Sequence, residues 1–305
     1  MSYQALPYVT LLAILFGSTL VASRFSVGQF QPTTYIGLRL TMASLCHLVI
    51  YALSRKRHWP KDGILWRHGA VLGIFGTAIP MTSIVSSLQF QSSGLTAVLI
   101  TTSPAITVVM AHFFLPDEPL TRRKSLGVLL ALGGALLLAA RGESGLPDVS
   151  RASPLGYLLV LLAMVSASGS TIYARKYMRE LDAFDVASTR MVVAALVVMP
   201  LSLLLVGFDL SAVDRSGYLA LIYAAFVGTF SGMMLAFYNI QRFGAIAAAM
   251  TAYIIPVVAV IAGALILEET ITLGMLSGMA LILLGVAIIN QRRRVVQAEP
   301  SAPVS

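Results

Sequence analysis

A chain of 305 residues that is 57% hydrophobic and 11% charged, with mean hydropathy +0.85, holds more apolar side chain than one soluble core can bury, so the bilayer is its solvent. The formal charge of +8 comes from basic residues spread between apolar runs, which argues against a nucleic-acid partner and fits loops facing anionic lipid. The single cysteine, Cys46, excludes an intramolecular disulfide and a cysteine-based metal cluster.

A spanning helix needs about 20 mainly apolar residues. Cutting the chain at charges and turn residues predicts ten: Leu6 to Ser23, Thr33 to Leu53, Gly69 to Leu88, Gly94 to Phe114, Ser125 to Ala140, Pro154 to Ala174, Phe184 to Val206, Gly217 to Tyr238, Ala245 to Leu267 and Thr272 to Asn290. The run from Gly69 to Pro116 has no Asp, Glu, Lys or Arg. At about 1.5 Å per residue it is too long for one crossing, so a turn falls at Gln89 to Gly94, where polar residues and glycine cluster. A turn is likewise expected between the eighth and ninth spans. No basic residue precedes the first span and nine comparable spans follow, so it reads as a retained helix and not a cleaved leader.

Basic residues set the orientation. With the N-terminus inside, fifteen Lys and Arg fall on the cytoplasmic side and four outside; Arg39 and Arg190, inside spans, complete the 21. Both termini are therefore expected in the cytoplasm.

The stretch Gly94 to Ala140 is written again as Gly244 to Asn290. Glu118 and Glu269, Gly127 and Gly278, Gly134 and Gly285, and Arg39 and Arg190 are each 151 apart; Pro104 and Pro256, and Gly76-Thr77 and Gly228-Thr229, are 152 apart. Each copy has an odd number of spans, so the second enters the membrane from the opposite side. The fold class is an all-α integral membrane protein of ten transmembrane helices in two inverted five-helix repeats, residues 1–140 and 154–291. A linker, 141–153, joins them, and a tail, 292–305, is basic and then expected to be disordered. Inverted repeats favour alternating-access carriers with a substrate site near the midplane at the repeat interface.

The doubled order of proline-bearing span, acidic loop and glycine-spaced final span, Pro104 to Gly134 and Pro256 to Gly285, resembles the EamA-type exporters of the drug/metabolite transporter superfamily. The resemblance covers Leu6 to Asn290. It implies a carrier in the bacterial inner membrane that exports small metabolites, with amino acids, aromatic or otherwise apolar, first among them. Phe16-Gly17 stands where many members carry Trp-Gly. Small four-helix relatives in the superfamily couple transport to protons through a membrane-embedded Glu. Here all thirteen acidic residues lie in loops or at span ends, which disfavours that mechanism.

An intramembrane Arg costs at least ~2.5 kcal/mol. Arg39 and Arg190 therefore either snorkel to the nearer interface or act as gate residues, on a substrate carboxylate or on carbonyls. Pro104 and Pro256 are expected to break their helices and free the carbonyls of Ile100 and Ala252, beside Thr101, Thr102 and Ser103 in one copy and Tyr253 in the other. Thr82, Ser86 and Gln89 form a polar stripe on the third span, as do Ser166, Ser170 and Tyr173 on the sixth; Tyr238 and Asn239 are the counterpart in the second copy. These stripes read either as interhelical bonding or as the wall of a wet cavity. His47 and His112 are candidate titrating residues, with hydrogen-bonded structural histidines as the alternative. The acidic pairs Asp117-Glu118 and Glu268-Glu269 are expected to cap the helices they precede.

No metal site, cofactor or obligate protein partner is expected; the partners are a small-molecule substrate and the lipid bilayer. A membrane-embedded enzyme is the rival from another class, and HExxH, Gly-x-Gly-Asp and Gly-x-Ser-x-Gly are all absent. Within transport, the alternative is an organic-anion or sugar-nucleotide exchanger.

Overall fold

The computed structural model describes residues 3–55, 57–178 and 180–291; the expectation for the tail 292–305 lies outside them. Among the described residues there is no strand, and ten helices are long and apolar enough to cross a membrane. They are α1 (Leu6–Ser26), α2 (Pro32–Leu53), α3 (Gly63–Ser87), α4 (Ser93–Phe114), α5 (Arg122–Ala140), α6 (Pro154–Tyr177), α7 (Ala183–Leu205), α8 (Arg215–Ala236), α9 (Met250–Leu267) and α10 (Leu273–Asn290). The third begins at Gly63 and not Gly69. Arg57, Arg122, Arg123 and Arg175 lie at the face that carries the N-terminus, here the basic face; residues 141–153 lie at the opposite, linker face.

Seven side chains fix helix starts. Asp62, Ser92, Thr121, Ser153, Asp182, Asp214 and Thr272 each accept a hydrogen bond from an amide two or three residues on. Thr121 and Thr272 are 151 apart, so the duplication preserves the cap of the last helix in each repeat. The acidic pairs do not cap these helices, contrary to expectation, because the threonines already hold the amides.

The two prolines behave differently. α4 stops at Ile100 and restarts at Ser103, with a turn at Thr101 and Thr102 and Pro104 in the new first turn. Pro256, expected to break its helix, sits inside one that runs unbroken from Gly232 to Leu267. That run is 36 residues, and it also passes through the expected turn between α8 and α9. Contacts with α1 nevertheless reverse along it. Gly228 and Gly232 lie against Thr19 and Phe16, and Asn239 reaches Tyr8, while Ile254 packs on the cluster of Ala5 and Val9, and Val258 lies on Gly17. The chain thus descends α1 and returns along it between Phe243 and Ile254, making two crossings with helical hydrogen bonding kept through the bend.

Pairing across the repeats obeys a two-fold rule: where residue i meets j, the residue 151 further on meets the one 151 or 152 before j. Gly17 against Val258 is matched by Ser168 bonded to Thr107 at 2.9 Å. Thr19 against Gly228 is matched by Ser170 against Gly76. α1 thereby packs on α8 and α9 as α6 packs on α3 and α4, while α2 with α7 and α5 with α10 are their own mates. In the α5–α10 seam a Cβ at Gly127 would lie 2.6 Å from the Gly285 carbonyl oxygen, and one at Gly134 would lie 3.0 Å from that of Gly278. Only hydrogen fits there.

The linker is folded down on the linker face. Ser92 N–H donates to the Ser144 carbonyl at 2.8 Å, Thr270 N–H to that of Gly145 at 3.0 Å, and the Thr272 hydroxyl to the Glu143 carboxylate at 2.6 Å. It ties the α3–α4 loop to the α9–α10 loop.

Gly127→Val should cost about 1–3 kcal/mol by overpacking the seam, read as a lowered thermal midpoint of the purified protein. Gly133→Val, where an added Cβ meets nothing within 4 Å, should leave the midpoint near that of the wild type.

Candidate functional site

Arg39 on α2 is 8% exposed. Its Nε donates to Thr229 Oγ1 at 2.6 Å and its NH1 to Ser23 Oγ at 3.1 Å. Arg190 on α7 makes the mate contact: Nε donates to Thr77 Oγ1 at 3.0 Å and NH2 to the Gly76 carbonyl at 3.3 Å. Snorkelling does not describe either residue, because each guanidinium is bonded to the third span of the other repeat. Charge-assisted hydrogen bonds contribute about 1.5–3 kcal/mol each, so two of them are large enough to offset an insertion cost of about 2.5–3.5 kcal/mol.

The receiving threonines lie in π-helical turns, Ile74–Ala78 in α3 and Ala224–Ser231 in α8. Each threonine hydroxyl donates five residues back, Thr77 to Leu72 O at 3.4 Å and Thr229 to Ala224 O at 3.0 Å. Its single proton is thus used, and its lone pairs face the arginine. The duplicated Gly-Thr dipeptide signals these residues in sequence, but nothing in it announces the widened turn.

Polar groups of α3 and α4 meet hydroxyls of α6 across the repeat boundary. Ser166 Oγ donates to the Phe75 carbonyl at 2.6 Å, Ser170 Oγ to Ser166 O at 3.0 Å, and Thr107 Oγ1 to Ser168 Oγ at 2.9 Å, beside the Ser103 carbonyl. Thr82 and Ser86 are half-buried on the part of α3 that packs against α6. Thr101 and Thr102 turn inward, donating to Val98 O at 2.6 Å and Leu99 O at 2.7 Å. Tyr173 OH meets His68 Nδ1 at 2.9 Å. Tyr173 also lines a cavity of about 210 Å³ at the basic face, with Met110 and Phe114 of α4 and Gly169, Ile172, Lys176 and Tyr177 of α6.

The remaining candidates lie elsewhere. Tyr238 is exposed with its ring tilted against that of Tyr8, and Asn239 Nδ2 donates to the Tyr8 carbonyl at 3.2 Å. Tyr253 OH accepts from Asn290 at 2.9 Å. His47 is buried between Phe184 and Phe230 with Nδ1 on Ser188 Oγ at 2.9 Å. His112 is exposed at the basic end of α4, accepting from Leu120 N–H at 3.3 Å. The structure therefore divides these residues among several places and does not join them in one. No group of three His, Cys, Asp or Glu among the described residues could hold a metal.

The two acidic loops end differently. Glu269 is 7% exposed and accepts from Ser93 N–H at 2.7 Å, Ser93 Oγ at 2.8 Å and Gly94 N–H at 3.2 Å, closing the linker end of α4 onto α9 and α10. A Cβ at Gly94 would overlap Val260 there. Its counterpart Glu118, at the basic face, pairs with Arg175 at 2.6 Å and Lys124 at 2.9 Å. Hydrogen bonds from Lys124 and then Arg175 hold the Glu118 carboxyl below the usual carboxylate range.

Ten crossings in inverted repeats, cross-linked by paired arginines, define a multi-pass membrane protein of the transporter class. The EamA-like transporter family model matches residues 4–140 and again 154–291; the chain belongs to that family. It is 25% identical over 288 residues to an uncharacterized transporter of Archaeoglobus fulgidus, covering 93% of this chain and 98% of that one. It is 26% identical over 297 residues to the uncharacterized inner membrane transporter YedA of Escherichia coli K12, covering 96% and 93%. A probable amino-acid metabolite efflux pump of Salmonella typhimurium is 26% identical over 288 residues, covering 91% and 92%. A crystal structure with 21% identity, covering 95% of this chain and 98% of its own, superposes with a TM-score of 0.64 and shares the fold.

A carboxylate whose folded pKa is depressed contributes stability that is present above its unfolded value of about 4.3 and lost as pH falls through the folded value. On acidification through that window the thermal midpoint should fall further in the wild type than in Glu118→Gln; parallel curves would remove this contribution.

Proposed function

We propose that this transporter exports small organic metabolites, amino acids with aromatic or other apolar side chains first, across the bacterial inner membrane by alternating access, with the basic face and both termini in the cytoplasm. One observation carries the reading: two ends of the same duplicated design are in different states. At the linker end α4, α9 and α10 are closed over a buried Glu269; at the basic end Glu118 is drawn away to Arg175 and a cavity opens between α4 and α6. In an inverted-repeat carrier, exchanging the conformations of the halves turns one facing state into the other. The state described is then closed outward and open inward.

Positive-inside loop charge supports the orientation, and the printed name of the YedA relative supports the compartment. The name of the Salmonella relative supports amino acids. The α4 break supplies hydroxyl and carbonyl groups from Ser103, Thr107, Ser166 and Ser168 on which a small zwitterion could turn, and the aromatic and methionine walls near Tyr173 suit an apolar side chain. An organic-anion exchanger would need cations free to take its substrate, and both intramembrane arginines are engaged with threonines. Arg39 and Arg190 act in this reading as reciprocal cross-repeat gate residues.

Protein in liposomes should carry labelled phenylalanine or threonine with saturable kinetics; no flux of either overturns the substrate class. With no carboxylate in mid-span among the described residues, flux should not respond to an imposed proton gradient. Arg190→Ala should lower flux about tenfold or more, the scale of one lost charge-assisted hydrogen bond, with expression unchanged; wild-type flux would remove the gate role.

A further inference from the structure

Arg24 closes α1 and Arg175 closes α6, and they are 151 apart, as are Glu269 and Glu118. By the two-fold rule, Arg24 with Glu269 at the linker face is the mate of Arg175 with Glu118 at the basic face. The basic-face pair is formed, at 2.6 Å. The linker-face pair is not: Arg24 is within electrostatic reach of Glu269, yet among the described residues it takes part in no ion pair, and the carboxylate lies on Ser93 and Gly94 instead.

We infer that Glu269 is a two-position latch, held on the start of α4 in the state described and on Arg24 in the opposite-facing state. This rests on the alternating-access reading above, since the second position is the one Glu118 already occupies in the mated half. Both positions satisfy the carboxylate, by three N–H and O–H donors in one and a guanidinium in the other. The charge is therefore never left bare while buried, the condition under which a broken pair is costly.

The backbone marks the hinge. Among the described residues Glu268 is the one non-glycine with positive φ, at 54°, and it also ends the long helix. Its mate Asp117 is not in that conformation. The left-handed turn at Glu268 is what carries Glu269 over onto α4, so one residue's change of φ and ψ separates the two positions.

Hydrogen exchange at the Ser93 and Gly94 amides, followed by mass spectrometry on the full chain in lipid nanodiscs, reads the latch, because those amides exchange only when Glu269 leaves them. Arg24→Gln removes the alternative partner and should slow their exchange about fivefold or more, the usual floor for coupling between sites; Arg24→Lys should restore the wild-type rate. Arg175→Gln, at the opposite face, destabilises the described state and should speed the same amides by a similar factor, which a purely local role for Arg175 would not do. Unchanged exchange in both glutamine variants, at wild-type thermal stability, overturns the latch. Should those variants fail to fold, Glu268→Gly relieves the left-handed turn with no loss of Arg24 or Arg175 and should slow exchange; an unchanged rate overturns it equally. Flux without any response of exchange would sink the latch alone, and responsive exchange without flux would sink the transport reading alone.

Discussion

A guanidinium inside a bilayer needs fixed partners, and in this protein each intramembrane arginine finds a threonine partner in the other half of the chain. Arg39 is 190 residues from Thr229 and Arg190 is 113 from Thr77. Each half is therefore incomplete alone: its own arginine lacks its threonine partner until the other repeat is in place, and Arg39 keeps only its bond to Ser23. The widened turns of α3 and α8 follow from the same need. A threonine in a regular α-helix commonly spends its proton on the carbonyl four residues back; five residues back is the π-helical version, and such turns are usually found where a helix does something besides span.

Against that common frame the repeats differ where transport would require them to. One copy breaks its fourth span at Thr101 and Thr102, while the other stays helical past Pro256. One acidic loop reaches across to cap a helix of the opposite repeat, and the other holds cations at its own face. Sequence differences reinforce the contrast: Lys124, which holds Glu118, is replaced by Met275 in the mate position.

The ten spans, the inversion and the pairing of arginines were legible because each depends on local composition or on counting. The partner of each arginine was not, since a threonine in an apolar span looks the same whether it bonds its own helix, as Thr101 does, or a guanidinium, as Thr229 does. Glu269 reads in sequence as a loop residue preceding a helix; burial comes from Ser93, 176 residues away. Pro104 and Pro256 carry one sequence signal and two outcomes, a helix that restarts at Ser103 and one that continues past Pro256. Of the polar stripes, the Ser166 hydroxyl on α6 crosses the repeat boundary to Phe75, while Ser170 bonds its own helix. Tyr238 lies instead on an exposed helix face, where an amphipathic ring is at home.

The glycine seam of α5 and α10 has a property the other interfaces lack. Gly127 meets Gly285 and Gly134 meets Gly278, and because Gly278 and Gly285 are the repeat mates of Gly127 and Gly134 these are one contact written twice. That reciprocity is what defines an isologous contact between identical subunits. Each five-helix half therefore carries both sides of one antiparallel contact, and the seam is built by a single surface patch used twice.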